Sequence, residues 1–144
     1  MAEVREDNWF HRMMRGEESS PPVAKLLGEC ITDVDEAAGE MRNSFTASPD
    51  FRNPGGTVQG GMLAAMLDAL TAGLVDATVA SGEIVATLNL SVHYLAPALP
   101  GSIEGRGRIV RRGRDICFVH GELWQGGKQV AGAEAVCKIV KARP

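Results

Sequence analysis

Two glycines, Gly60 and Gly61, stand at the head of a strongly apolar run, and one carboxylate, Asp68, sits inside it. The stretch reads NPGGTVQGGMLAAMLDAL over residues 53–70. A carboxylate in apolar surroundings is costly unless it is paired or used. The first N–H groups of a helix have no intrahelical acceptor and lie at the positive end of its dipole. Glycine there lets a ligand come close to the backbone, so the helix start can receive an anion or a polarised carbonyl, as an oxyanion hole does. Close packing of the helix on a sheet accounts for the glycines equally well. Asp68 likewise reads either as a buried acid bonded to strand backbone or as a general base or nucleophile. It follows Gly61 by seven residues, roughly 700° of helical rotation, which sets it within about 20° of the same face and roughly 10 Å further along the axis. One carbonyl cannot easily touch both the Gly60 N–H and the Asp68 of the same chain. If both act on one substrate, one of them comes from another copy. Asp76, eight residues on, reads as a surface acid near the helix end.

The elements that must position these residues follow from periodicity. Residues 5–15 form a short amphipathic helix carrying Trp9, Phe10, Met13 and Met14, broken by EESSPP, and residues 23–27 form a helical turn ended by Gly28. Together they make an N-terminal helical extension, 1–28, of a single domain spanning 1–144. Alternation predicts strands over about 29–36 and 39–47, and SPDFRNPGGT is a loop rich in turn formers. The central helix is predicted over about 60 to 80. After it the period changes to two. IVATLNLSVHYLAP sets Leu88, Leu90, Val92 and Tyr94 on one face and Thr87, Asn89, Ser91 and His93 on the other. GSIEGRGRIVRRGR is a long strand with a charged face, and ICFVHGELWQGGKQVAGAEAVCKIV is a hairpin turning at QGGK. The class is α+β: one antiparallel sheet of about six strands around one long helix. A single helix cannot cover both faces of such a sheet, so at least a dimer is expected.

The totals exclude several alternatives. With 15 basic and 18 acidic residues and a net charge of −3, the chain lacks the basic excess of a nucleic-acid binder. Cys30, Cys117 and Cys137 are odd in number and far apart, which gives no disulfide framework and suggests reduced thiols in the cytoplasm. The first residues carry charges where a leader would be apolar. The run 61–80 approaches membrane length, but Asp68, Asp76, Thr71 and Thr78 interrupt it, so a buried helix rather than a membrane span is expected. His11, His93 and His120 lie in separate elements and no metal-ligand spacing occurs. GRG at 105–107 lacks the setting of a dinucleotide fingerprint.

Three segments taken together, N53-P-G-G-T-V-Q-G-G61 followed by Asp68, T87-L-N-L-S-V-H-Y-L-A-P97, and G-R-I-V-R-R-G-R114, resemble the hotdog-fold acyl-CoA thioesterases, most nearly the phenylacetic-acid-degradation type. The resemblance covers about residues 35–140. It implies a hotdog fold, an acyl-CoA substrate whose coenzyme A is part of the substrate rather than a separate cofactor, and a homodimer or dimer of dimers. It further implies that the Gly60 N–H polarises the thioester carbonyl, that Asp68 is the catalytic carboxylate, and that Asn53 helps place the thioester or water. Thr87 would supply a hydroxyl beside the carboxylate, and the Asp68-like residue would face the Asn53-like and Gly60-like residues of the other subunit. Strand parity, by contrast, sets Thr87 away from the helix. Gln59, Gly61 and Met62 would line the approach to substrate. Gln59 stands where the family usually has histidine; it keeps a donor and an acceptor but cannot titrate near neutrality. Arg106, Arg108, Arg111, Arg112 and Arg114 are the dense basic cluster. Of these, Arg111, Arg112 and Arg114, near the strand end, could meet the nucleotide phosphates, or simply form a solvated strand face. The expected function is thioester hydrolysis. The competing expectation is a non-catalytic acyl-CoA-binding or sensing protein. A hotdog dehydratase fits less well, because no histidine lies in the loop–helix segment.

Overall fold

The computed structural model describes residues 8–143, so the start of the predicted 5–15 helix lies outside the described residues. The remainder forms α1, Trp9–Met14, capped by the Asn8 side chain, which accepts from the His11 N–H. Helix α2 covers Pro22–Leu27 and stops at Gly28, whose φ of 63° is left-handed. A side chain at Gly28 would also collide with Thr46, 2.8 Å from its Cβ, so both backbone and packing demand glycine there. The strands are β1 Cys30–Asp35, β2 Glu40–Ala47, β3 Glu83–Tyr94, β4 Gly101–Arg112, β5 Ile116–Gln125 and β6 Lys128–Lys141, with the long helix α3, Gly60–Asp76, between β2 and β3. All neighbouring strands are antiparallel, in the spatial order β1-β2-β4-β5-β6-β3. The β5–β6 hairpin turns at Gly126 and Gly127, both with positive φ, as a two-residue turn of primed type requires.

Helix α3 lies across the inner face of the sheet. Its Leu63, Met66, Leu67, Leu70, Leu74 and Val75 are buried against Met41, Phe45, Ile103, Val119 and Leu123. It can approach closely because the sheet is low beneath it. Gly107 and Gly121 face Leu70, and Ala131, Ala133 and Ala135 continue the floor on β6. The helix ends at Asp76, earlier than the predicted residue 80. Ala77 and Thr78 form a turn, in which the Thr78 hydroxyl donates back to the Val75 carbonyl. Among the described residues no helix is long and apolar enough to cross a membrane.

Two β-bulges reset the parity read from sequence. In β3 the register shifts between Thr87 and Asn89, so Leu88 is the extra residue and Thr87 turns toward the helix. That corrects the expected pairing of Thr87 with the outward face: Thr87 shares the inner side with Val85, Leu90 and Val92, whereas Leu88 is 57% exposed. In β4 the shift falls between Ile109 and Arg111, which turns Arg112 inward and leaves Val110 exposed. A bulge places two residues opposite one and reverses alternation beyond it.

The outer face of the sheet is charged. Glu104 accepts from both Arg42 and Arg106, and the Arg106 guanidinium stacks on Trp124 at 4.3 Å. Trp124 donates to Glu122, and the His120 ring bridges Glu122 and Glu134. These ions pair with one another and remain partly exposed. The unpaired flank of β3, at one end of the sheet, is the long open edge.

Candidate active site

Asp68 sits midway along α3 on the side that the sheet does not cover, and it is half-buried. Its helical neighbours toward solvent are Gly61, Ala64, Ala65 and Ala72, with Thr71 and Val75 on the buried side. The Thr87 hydroxyl donates to Asp68 Oδ1 at 2.7 Å. The inward turn made by the β3 bulge is what allows this contact. A hydrogen bond to a carboxylate both orients it and supports its charged form. Opposite Thr87 on β6 lies Cys137, fully buried. Burial first, and the nearby Asp68 charge second, push its thiol up to about 11. Cys137 therefore stays a protonated thiol and is no nucleophile.

The start of α3 is the second half of the geometry. Loop residues 53–57 are wound around Asn53, whose Oδ1 accepts from the N–H groups of Gly55 and Thr57 and whose Nδ2 donates to Thr57 Oγ1 at 3.0 Å. The loop is then tied down by the Val58 N–H on the Ala98 carbonyl and the Gln59 N–H on the Phe51 carbonyl, each 2.8 Å. Gln59 is the N-cap residue; its carbonyl takes the Met62 and Leu63 N–H groups, but its exposed side chain makes no cap bond. Among the described residues, the N–H groups of Gly60 and Gly61 meet no acceptor, which leaves both directed out of the helix start. Space above Gly61 is open: a Cβ added there would meet nothing within 4 Å. Met62 is half-buried against the core.

A residue not singled out for the site completes this end. The Tyr94 hydroxyl donates to the Gly60 carbonyl at 2.8 Å. Period two already set Tyr94 on the helix side of β3; nothing in the sequence indicated what its hydroxyl would reach. Within one chain the two halves stay apart, Gly60 level with Tyr94 and Asp68 level with Thr87, as the helical rise demands.

The arginines divide. Arg112 donates to the hydroxyl and carbonyl of Thr78, just past the C-terminal end of α3, where a cation is favoured. Arg111 and Arg114 are exposed near the same end. Arg106 and Arg108 line a polar groove of about 200 Å³ on the outer face with Arg42, His120 and Glu122, away from Asp68. His93 lies over Gly132 on that outer face. Asp76 is not the surface acid that its place near the helix end suggested. Burial pushes its carboxyl up to about 7, against hydrogen bonds from Trp9 and the Val85 N–H that pull it down. The cause is α1, which folds over the end of α3: Asn8 Nδ2 donates to the Val79 carbonyl at 2.9 Å. No cluster of His, Cys, Asp or Glu among the described residues is arranged to hold a metal ion.

Comparison with known proteins gives a consistent result. Residues 55–131 match the family model described as the thioesterase superfamily. Among solved structures, the chain is similar to a phenylacetic acid degradation-related protein of Ralstonia eutropha JMP134, with 51% identity over 92% of this chain and 100% of that one and a TM-score of 0.90. The PaaI protein from the phenylacetic acid degradation operon of Escherichia coli is 18% identical, over 92% of this chain and 94% of that one, with a TM-score of 0.79. A thioesterase of Haemophilus influenzae is 17% identical, over 85% of each chain, with a TM-score of 0.76. The last two likenesses concern the fold, which is the hotdog arrangement of a sheet and one long helix. No curated protein matches the chain.

Proposed function

The chain belongs to the thioesterase superfamily, and on that premise we propose that it hydrolyses an aryl- or medium-chain acyl-CoA thioester to the free acid and coenzyme A. The observation that carries the reading is the Thr87–Asp68 hydrogen bond on the uncovered side of α3, in a protein whose helix start also presents two unpaired amides. Asp68 takes a proton from water while the water oxygen attacks the thioester carbon, or attacks that carbon itself to give an anhydride that water then opens. The Gly60 N–H, with Gly61 beside it, holds the developing oxyanion. Collapse breaks the C–S bond, and the thiolate of coenzyme A leaves without a strong acid to protonate it.

A second copy supplies the missing geometry. Helix α3 runs antiparallel to β3, with Gly60 beside Tyr94 and Asp68 beside Thr87. If the open edge of β3 pairs antiparallel with itself about a two-fold axis midway between Thr87 and Tyr94, the amides of one copy face the carboxylate of the other. We assign to Asn53, which has one amide proton uncommitted, the placing of thioester or water. Gln59, Gly61 and Met62 flank the acyl entry, and the exposed Arg111 and Arg114 meet the nucleotide phosphates, with Arg112 holding the helix end between them. The reading of a protein that binds acyl-CoA without cleaving it draws on one observation, the uncommitted Gln59 side chain at the helix start.

Thiol release measured over a panel of aryl and alkyl acyl-CoAs separates the two. Hydrolysis predicts release of coenzyme A by the wild type, abolished in Asp68→Asn while a non-hydrolysable acyl-CoA thioether still binds. Turnover unchanged by Asp68→Asn would refute the role given to this carboxylate.

A further inference from the structure

We infer that Tyr94 is a positioning residue that fixes the oxyanion-binding amides at the start of α3. The inference rests on the thioesterase reading and deepens it. Gln59, the N-cap, leaves the first helical turn without a side-chain cap. The two residues that follow are glycines, the pair with the greatest backbone freedom. The Gln59–Gly60 peptide is held through the Gln59 carbonyl, which takes the Met62 and Leu63 N–H groups, so the Gly60–Gly61 peptide is where a further restraint on the oxyanion hole acts. Among the described residues, Tyr94 is the one side chain hydrogen-bonded to the backbone of Gly60 or Gly61. Its backbone is held in the sheet, while its side chain is half-exposed. Tyr94 pairs with Ala131 at the end of β3, and the next N–H, of Leu95, donates to the Val130 carbonyl at 2.9 Å.

The ring does more than donate. A Cβ on Gly60 would lie 3.2 Å from Tyr94 Cζ and 3.3 Å from its hydroxyl oxygen. The tip of the ring therefore lies against the Gly60 backbone, and a side chain at residue 60 would press on it. The hydroxyl acts on the carbonyl of the peptide that joins Gly60 to Gly61, and the N–H of that same peptide belongs to Gly61. Donation into a carbonyl polarises its amide and strengthens the N–H as a donor. Tyr94 thus holds the plane of this peptide, sharpens the Gly61 N–H, and through the restrained Gly60 backbone aims the Gly60 N–H as well. Thr87 does the corresponding work for Asp68, so in the paired arrangement the β3 strand of each copy sets the amide half of one site and the carboxylate half of the other.

The test is Tyr94→Phe, which keeps the ring and removes the donor. Turnover of an acyl-CoA that the wild type cleaves should fall at least tenfold in kcat, with KM within about twofold, the same elution volume on size exclusion and an unshifted melting temperature. In the ¹⁵N–¹H spectrum the Gly61 amide proton should move upfield while the Asp68 amide stays in place. An unaltered kcat in an active protein, or a Gly61 resonance that does not move, would overturn the inference. A wild type that releases no thiol from any acyl-CoA tested would instead defeat the functional reading, and the Gly61 resonance would still decide the role of Tyr94.

Discussion

Asp68 and Thr87 behave as one unit, and their bond sets what substitution should do. Removing the carboxylate charge in Asp68→Asn should cost about 10²–10⁴ in kcat, the usual contribution of a positioned base. Thr87→Val keeps the shape and removes the donor. A hydrogen bond to a charged group contributes about 1.5–3 kcal/mol, and the exposure of Thr87 places the effect near the lower end, about a tenfold loss of kcat. The two variants combined should lose no more than Asp68→Asn alone, because Thr87 acts only through the carboxylate; a rate assay on the double variant checks this. Asp68 was legible in the sequence as a charge out of place in an apolar run. The inward turn of Thr87 was not. Simple alternation sent it to the opposite face, and only the extra residue Leu88 reverses it. A bulge leaves no mark in a hydrophobic pattern when the residues on both sides of it are a mixture of polar and apolar.

At the scale of elements, the position of α3 over the sheet is set by what the sheet lacks. A methyl on Gly121 would lie 2.9 Å from Thr71 Cγ2 and 3.4 Å from Leu67 and Leu70. Gly121→Ala should therefore destabilise the fold by about 1–3 kcal/mol, seen as a lower denaturant midpoint, and should reduce activity through the displaced helix. The far end of α3 depends on α1. Asp76 has an ordinary value of 3.8 and is raised to about 7 by burial. The folded state thus binds its proton more tightly than the unfolded chain does. The contribution to stability is fully present below about pH 4 and falls as pH rises toward 7, with no further loss above. Asp76→Asn should flatten that limb and raise the melting temperature at pH 8 relative to the wild type; thermal melts between pH 4 and 8 would show it. The order and type of the elements were legible from periodicity and turn residues. The burial of Asp76 was not, because it comes from α1 folding back over the helix end across 68 residues of chain, and no local pattern records such a contact.

At the scale of the whole molecule, the two halves of the site in one chain cannot meet, and that has a quantitative consequence. Asp68→Asn removes the carboxylate and keeps the amides. Gly60→Val keeps the carboxylate and drives a branched side chain into the Tyr94 ring, where even a Cβ already lies at 3.2 Å, which displaces the amides. Each variant alone should be inactive. In a two-fold dimer with composite sites, a mixed pair joins the intact Asp68 of one chain to the intact Gly60 of the other at one site, and places both defects in the second site. Random mixing in equal amounts makes half of the dimers mixed, each with one of two sites whole, so activity should return to about one quarter of the wild-type value. A site built within one chain predicts no recovery at any mixing ratio. The pairing itself should depend on the free edge of β3, whose exposed Leu88 and unpaired backbone run beside Thr87. The Leu95 N–H points to β6, so in alternation the Val92 N–H points to the open edge, and Val92→Pro, near the expected axis, removes an edge donor and should both lower the apparent mass on size exclusion and abolish the recovery. Recovery that survived dissociation of the pair would mean that carboxylate and amides meet by some route other than this edge.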